Sequence, residues 1–234
     1  MNYAIILAAG KGNRMGSEKN KVLLNIDKKP VLYYSIKKFY DIGLFDGIIV
    51  VVAEKEKKEV EKIINEIEIP DKNIHLVYGG KERQDSVINA VTELNNCFGE
   101  IDENDLILIH DGARALVSEK EIDDVLKTLK KYNAATVGVR VKDTIKSATD
   151  QSVVMETLAR ENLWHIQTPQ GFSYGILLSS LKKAEDDGFY GTDDSSLVER
   201  CGIVVKIVNG SYENIKITTP EDIIIAEAII KSKK

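Results

Sequence analysis

The chain has 234 residues, of which 43% are hydrophobic and 29% charged, and its formal net charge is −5. This length suits one α/β domain with a sizeable core, and the acidic balance argues against broad nucleic-acid binding through a basic face. The only cysteines, Cys97 and Cys201, are far apart and lack metal-ligand spacing. With no signal-peptide or membrane-span pattern at the start of the sequence, they favour a cytoplasmic protein.

Short apolar runs alternate with amphipathic stretches, which is typical of βαβ units and a mostly parallel sheet. Nearly continuous apolar runs, as expected for strands buried on both faces, predict strands at 3–7, 48–52, 74–77, 105–110, 135–141 and 204–208. Helical periodicity and capping patterns predict helices at 30–40, 55–67, 86–94 and 118–132, and a last helix opening at Thr219.

Residues 142–159 interrupt this rhythm, because polar and apolar residues alternate there without a helical stripe. The pattern predicts a projecting β-hairpin with arms at 144–146 and 153–155 and a turn at 149–152. An isolated hairpin is only marginally stable in water, so we expect a partner subunit to bury it. Farther along the chain, 168–170 is interpreted as a rigid turn with polar tips, or simply as a connection.

The first predicted strand runs directly into a glycine-rich loop at 8–16, which carries Arg14 and precedes Lys21. Backbone N–H groups exposed by glycines, together with nearby cations, suit a nucleotide triphosphate. The spacing fits neither a P-loop nor the dinucleotide-binding fingerprint, since Gly16 comes one position too late for the latter. A tight β-to-α turn without a ligand is the plain alternative.

Ligands of open α/β sheets bind at the carboxyl ends of the strands. Glycines, an acid and several cations follow four predicted strands, at 8–14, 79–86 and 110–114 and in the loop that reaches Lys216. Asp111 and Arg114 either form an ion pair that closes a loop or hold a polyol and its phosphate. His110 is interpreted as structural rather than catalytic. Without a compelling protein nucleophile, direct displacement at phosphorus assisted by Mg²⁺ is favoured.

Seven motifs, in this order, resemble those of the 2-C-methyl-D-erythritol 4-phosphate cytidylyltransferase family. They lie at 8–15, 79–87, 110–114, 141–146, 163–170, 192–194 and 214–222, and the resemblance extends over 4–230. It implies a Rossmann-like nucleotidyltransferase fold, with a mostly parallel sheet flanked by helices and a projecting β-hairpin arm. It also implies one domain over 1–234, in which 142–163 is a dimerisation arm of a homodimer.

The implied reaction transfers the cytidylyl group of CTP to methylerythritol 4-phosphate and releases diphosphate. Mg²⁺ would be carried mainly by the CTP phosphates, with no residue singled out as a metal ligand. The catalytic residues implied by the resemblance are Arg14, Lys21, Arg160 and Lys216. The implied nucleotide site comprises Ala8, Ala9, Gly10, Lys11, Gly12, Asn13, Arg14, Lys21, Gly80, Lys81 and Ser86. The implied acceptor site comprises Asp111, Arg114, Thr144, Arg160, Thr168, Thr192 and Lys216, of which Thr144, Arg160 and Thr168 would reach across the dimer.

Three positions depart from the family's usual pattern. Asn20 replaces a proline, which predicts a looser approach to Lys21. Ala115 also replaces a proline, which leaves the pose of Arg114 less restrained. Ala159 replaces an aspartate, which removes a potential orienting partner from Arg160.

Two other functions are compatible with parts of this pattern. A ribitol 5-phosphate cytidylyltransferase would share the nucleotide half, although 110–114 and 163–165 look closer to the methylerythritol enzyme. A non-catalytic nucleotide-binding regulator would have no need to keep both clusters of cations. A nicotinamide-binding domain is disfavoured by the glycine spacing.

Overall fold

A computed structural model of the chain describes residues 1–10, 20–68 and 73–233. The strands are β1 (Asn2–Leu7), β2 (Asn25–Ile26), β3 (Lys29–Pro30), β4 (Gly47–Val52), β5 (Ile74–Tyr78), β6 (Leu106–Asp111), β7 (Ala134–Arg140), β8 (Lys146–Ala148), β9 (Val154–Thr157), β10 (Trp164–Ser173) and β11 (Lys206–Asn209). The helices are α1 (Val31–Asp41), α2 (Lys57–Glu66), α3 (Arg83–Phe98), α4 (Glu119–Leu129), α5 (Tyr174–Asp186), α6 (Asp194–Arg200) and α7 (Pro220–Ser232).

The central sheet has seven strands in the order β11-β7-β10-β6-β1-β4-β5. Strand β1 pairs in parallel with β4 and β6, β4 pairs in parallel with β5, and β11 pairs in parallel with β7. Strand β10 runs antiparallel to both β6 and β7. The predicted fold class, a mostly parallel sheet flanked by helices, is confirmed, and the six predicted strands and five predicted helices are present with slightly shifted ends.

Alternate residues of the buried strands face two separate cores, as the pleat of a sheet requires. Ala4 and Ile6 of β1 pack in the core formed with α1, α2 and α4. Tyr3 and Ile5 of the same strand pack in the core formed with α3, α5 and α6. This burial on both faces explains why the strands appear in the sequence as unbroken apolar runs.

Of the strands and helices that the structure describes, β10, α5, α6 and the two-residue strands β2 and β3 are absent from the sequence-based predictions. The interpretation of 168–170 as a turn is wrong, because these residues lie within β10, where the pairing register shifts between Ile166 and Gln170. The strand buries polar side chains, among them Gln167 and Gln170. Their hydrogen bonds to neighbouring segments replace the apolar contacts by which a buried strand is usually recognised.

The predicted hairpin is present as a separate two-stranded antiparallel sheet of β8 and β9, in which Lys146 lies opposite Thr157. The arms lie slightly later in the chain than predicted. The turn closes where the Thr149 N–H donates to the Val153 carbonyl, and Ser152 has a φ of 63°. The apolar side chains of Val154 and Met155 are 54% and 69% exposed, so the arm presents an uncovered apolar surface within this chain.

Candidate active site

A cavity of about 450 Å³ opens where β1, β5 and β6 end at the same edge of the sheet. Its described lining consists of Leu7, Ala8, Ala9, Gly10, Asn20, Lys21, Val22, Gly80, Lys81, Glu82, Arg83, Ser86, Asp111, Ala113 and Lys216. The fold therefore brings together the predicted site residues Ala8, Ala9, Gly10, Lys21, Gly80, Lys81, Ser86, Asp111 and Lys216. The predicted residues Lys11, Gly12, Asn13 and Arg14 lie outside the described residues.

The loop after β5 approaches the loop after β1 closely, and this contact shapes one wall of the cavity. A Cβ atom on Gly79 would lie 2.4 Å from the Cβ of Ala9, so only glycine permits the approach. The Gly80 N–H donates to the Ser86 hydroxyl at 3.1 Å, and Ser86 in turn donates to the Glu82 carbonyl. Helix α3 begins at this wall, where the Glu82 and Asp85 side chains form a capping box around its first turn.

Asp111, at the end of β6, is the centre of a charge cluster in the cavity. Its carboxylate lies 2.7 Å from Lys216 Nζ and 3.5 Å from Arg83 Nε. Burial by itself would raise the pKa of Asp111, but the charges of Arg83 and Lys216 outweigh burial and hold the pKa well below its ordinary value. The carboxylate is therefore ionised at neutral pH and fixed between two cations.

Arg83 is a part of this site that sequence reasoning missed. It begins α3, and its Nη1 and Nη2 atoms each donate at 2.7 Å to the buried carboxylate of Asp194, the first residue of α6. This bidentate ion pair joins two helices that are distant in the chain. The glycine turn that leads into a helix at Arg83 is the sequence signal that points to this residue. Its partner, Asp194, is identified only by the three-dimensional structure.

The side chains of Asp111 and Arg114 do not form the ion pair that the plain alternative predicts. Arg114 Nη1 instead donates to the Asn214 carbonyl at 2.7 Å, while the Arg114 N–H donates to the Asp111 carbonyl at 2.9 Å. The Ile217 N–H donates to the Ala113 carbonyl, which joins this loop to the segment that carries Lys216. Ala115 is buried in a small core with Ile217, so the loop is restrained although it lacks the proline usual in the family.

His110 is fully buried, and both ring nitrogens are engaged within the fold. Nε2 lies 3.2 Å from the Arg114 carbonyl and Nδ1 lies 3.0 Å from the Thr168 hydroxyl, which also accepts the Asp111 N–H. Burial lowers the pKa of His110 to about 4, so the ring is neutral at pH 7. These contacts agree with the structural interpretation of His110 and place Thr168 behind Asp111 rather than in the cavity lining.

The remaining predicted acceptor residues, Thr144, Arg160 and Thr192, are exposed and do not line the described cavity. Arg160 follows the hairpin, and its Nη1 donates to the Lys142 carbonyl at 2.7 Å. This contact gives Arg160 an orienting partner although Ala159 replaces the usual aspartate. Thr192 lies two residues before Asp194 and therefore beside the helix start that Arg83 holds.

The cavity can bind a polyanion, because the cations in its described lining, Lys21, Lys81, Arg83 and Lys216, outnumber the carboxylates, Glu82 and Asp111. Within the described ranges, no group of three or more His, Cys, Asp or Glu side chains is placed to hold a metal ion. No helix in the described part of the chain is both long and apolar enough to cross a membrane.

Comparison with known proteins identifies the family. The family model described as IspD, 2-C-methyl-D-erythritol 4-phosphate cytidylyltransferase, matches residues 2–232. A protein of that name from Caldanaerobacter subterraneus subsp. tengcongensis is 45% identical over 228 residues, covering 97% of this chain and 98% of its own. Another protein of that name, from Bacillus cereus, is 44% identical over 234 residues, and the match covers 100% of both chains.

A solved structure has the same fold. The crystal structure of 4-diphosphocytidyl-2C-methyl-D-erythritol synthase from Anaerococcus prevotii superposes with a TM-score of 0.84 at 33% identity, covering 98% of each chain. The family match over nearly the whole length, the identity to curated relatives and the shared fold agree with one another. The chain belongs to the 2-C-methyl-D-erythritol 4-phosphate cytidylyltransferase (IspD) family.

Proposed function

We propose that this enzyme transfers the cytidylyl group of CTP to 2-C-methyl-D-erythritol 4-phosphate, giving 4-diphosphocytidyl-2-C-methyl-D-erythritol and diphosphate in non-mevalonate isoprenoid biosynthesis. One observation carries the proposal from family to chemistry. The lining of the cavity at the strand ends combines residues 8–10, 80–83 and 86 with Lys21 and the Asp111–Lys216 pair. These groups suit the binding of both a nucleotide and a phosphorylated polyol.

In the proposed reaction, a phosphate oxygen of the acceptor attacks the α-phosphorus of CTP. A new oxygen–phosphorus bond forms as the bond from the α-phosphorus to the bridging oxygen breaks, and the electron pair leaves with diphosphate. The protein positions the reactants and stabilises charge. Lys21, together with Arg14, would act on the triphosphate, while Lys216 and Arg160 would orient the attacking phosphate.

The acceptor half of the cavity is assigned from its polar lining. Asp111 is ionised and rigidly held, so its carboxylate suits hydroxyl groups of a polyol. Lys216, which pairs with the same carboxylate, would bind the acceptor phosphate. Arg114 and Thr192 would complete this half, and Thr168 would act through its hydrogen bond to the Asp111 backbone.

Mg²⁺ carried mainly by the CTP phosphates is also proposed. Mg²⁺ bound to a nucleotide needs only one or two protein carboxylates, and Asp111 and Glu82 are the carboxylates in the described lining. Asp111 is already held between Arg83 and Lys216, and the Glu82 side chain caps α3, so the CTP phosphates would supply most of the ligands to the ion. When bound, Mg²⁺ neutralises phosphate charge as diphosphate departs.

We further propose a homodimer in which the chain forms one nucleotidyltransferase domain with 142–163 as its dimerisation arm. The exposed apolar side chains of β9 support this arrangement, as does the position of Arg160 and Thr144 outside the cavity of their own chain. In a dimer, both residues would reach the partner's acceptor site. A reducing, cytoplasmic location is also proposed, supported by Cys97 and Cys201, which are both free.

The test measures diphosphate release from CTP and Mg²⁺ with methylerythritol 4-phosphate, with ribitol 5-phosphate, and without acceptor. We expect diphosphate release only in the reaction that contains methylerythritol 4-phosphate, and we expect this release to be lost when Mg²⁺ is chelated. Release only with ribitol 5-phosphate would keep the mechanism and replace the acceptor. No release with either acceptor from folded protein would overturn the proposal in favour of a binding role.

A further inference from the structure

Asn20 is a buried polar residue that directly precedes Lys21, with 4% of its surface exposed. Its Nδ2 atom donates to the Ala8 carbonyl at 2.7 Å and to Glu56 Oε2 at 2.8 Å. Its Oδ1 atom accepts the Val22 N–H at 3.3 Å. The amide therefore uses both donor hydrogens and its acceptor oxygen, and aspartate, the acid of the same shape, has no hydrogens to donate.

The partners of Asn20 belong to separate parts of the fold. Ala8 follows β1, and Glu56, itself buried, ends the short 3₁₀ turn that follows β4. Val22 belongs to the 3₁₀ turn Lys21–Leu23, which Asn20 caps. The side chain thus ties the backbone of Lys21 to the ends of two central strands, at the edge where the cavity opens.

We propose that Asn20 is a positioning residue that fixes Lys21 for catalysis, an inference that rests on the proposed function. The sequence pattern predicted a looser approach to Lys21 where the family usually has proline. The structure instead shows three side-chain hydrogen bonds at this point. A charge that acts on the transition state must be held to within about 1 Å, so loss of these bonds affects turnover more than substrate binding.

The backbone of Asn20 offers an independent way to restore the restraint. Its φ of −61° and ψ of 131° lie in the region that proline adopts. Asn20→Pro would lose the three side-chain hydrogen bonds but keep the main-chain direction that leads into Lys21. Asn20→Ala would lose both the bonds and the restraint, so the two variants separate positioning from side-chain chemistry.

The experiment compares initial rates of diphosphate release for the full-length wild type, Asn20→Ala, Asn20→Pro and the control Asn25→Ala. Asn25 has the same side chain in the same segment but is exposed. For Asn20→Ala we expect kcat to fall about 10- to 100-fold with KM for both substrates nearly unchanged. Asn20→Pro should recover most of the rate, and Asn25→Ala should match the wild type.

A second variant tests the link to β4. Glu56→Ala removes an acceptor of the Asn20 side chain and should also lower kcat. The double variant of Asn20→Ala and Glu56→Ala should have a kcat only slightly below that of Asn20→Ala alone. Additive losses would show that the two residues act independently and would overturn the tether. Thermal unfolding of each variant confirms that the compared proteins are folded.

Hydrogen exchange of the Leu23 and Leu24 amides, which donate to the main-chain carbonyls of Asn20 and Lys21, provides a readout that does not depend on activity. Faster exchange in Asn20→Ala, with wild-type exchange in Asn20→Pro and Asn25→Ala, supports the tether even if the wild type shows no transferase activity. That combination would remove the proposed function but leave the positioning role of Asn20. Unchanged exchange and unchanged kcat in Asn20→Ala would overturn the inference.

Discussion

Asp111 shows how strongly the charged residues of this cavity depend on one another. A buried carboxylate is costly unless cations and hydrogen-bond donors surround it, and Arg83 and Lys216 supply the cations. The Thr168 hydroxyl accepts a hydrogen bond from the Asp111 N–H and contacts His110. Thr168, which lies behind the cavity, therefore fixes the position of Asp111, which lines it. The positions of Asp111, Arg83, Lys216 and Thr168 are therefore each set by at least one other of these residues or their neighbours.

Lys21 is the residue whose loss we expect to affect turnover most directly. Lys21→Ala removes a charge assigned to the transition state and should lower kcat by about 100-fold or more, with a smaller effect on KM. Steady-state kinetics of diphosphate release measure this effect. Lys37→Ala, on the exposed face of α1, is the control and should keep the wild-type rate. Near-normal turnover of Lys21→Ala would contradict the assignment.

His110 predicts a specific dependence of stability on pH. Its pKa is about 4 in the fold and about 6.5 in the unfolded chain, so below pH 6.5 the unfolded state binds more protons. The free energy of unfolding should therefore decrease as pH falls from about 6.5 to 4, by up to about 3 kcal/mol, and this contribution should level off below pH 4.

Urea unfolding of the wild type and His110→Gln across this pH range tests the prediction. The variant keeps His75 and His165 and the carboxylates, so subtracting the two curves isolates His110. The difference should shrink at low pH, where the wild type loses its advantage. Parallel curves would show that His110 does not titrate as its burial requires.

At the scale of elements, the hairpin of β8 and β9 exposes the apolar side chains of Val154 and Met155 a few residues before Arg160, a predicted acceptor residue. Replacing Val154 and Met155 by lysine should convert a dimer to a monomer, because two side chains that each contribute roughly 1.5–3 kcal/mol when buried become charged. Light scattering after size exclusion measures the change. Val204→Lys, at a position that is 70% exposed away from the hairpin, should remain dimeric. A monomeric wild type would contradict the proposed arm.

Elements differed in how well the sequence predicted them. Strands β1, β4 and β6 are buried on both faces, and their apolar runs are long enough to be recognised without a structure. Strand β10 buries Gln167, Thr168 and Gln170 through hydrogen bonds to other segments, so no local pattern marks it. A strand stabilised by distant polar partners has no periodicity to detect.

At the scale of the whole molecule, the cavity was predictable because chain topology places parallel strand ends together. The glycine loops after β1 and β5, Asp111 after β6 and Lys216 after β11 were expected to converge, and they line one cavity. The ion pair of Arg83 with Asp194 was not predictable, since the two residues are 111 positions apart and each resembles a surface charge. Long-range partner choice follows from the assembled fold rather than from local sequence.

The position of Arg160 on the arm has a consequence for mixtures of chains. If each cavity needs Arg160 from the partner and Lys216 from its own chain, then Arg160→Ala and Lys216→Ala homodimers are both impaired. A mixed dimer would contain one cavity with both residues intact and one with neither. Random reassortment of equal amounts makes half of the dimers mixed, so about a quarter of wild-type activity should reappear on mixing. Refolding the two variants together and separately would measure this complementation, and no gain on mixing would place both residues in a single chain's site.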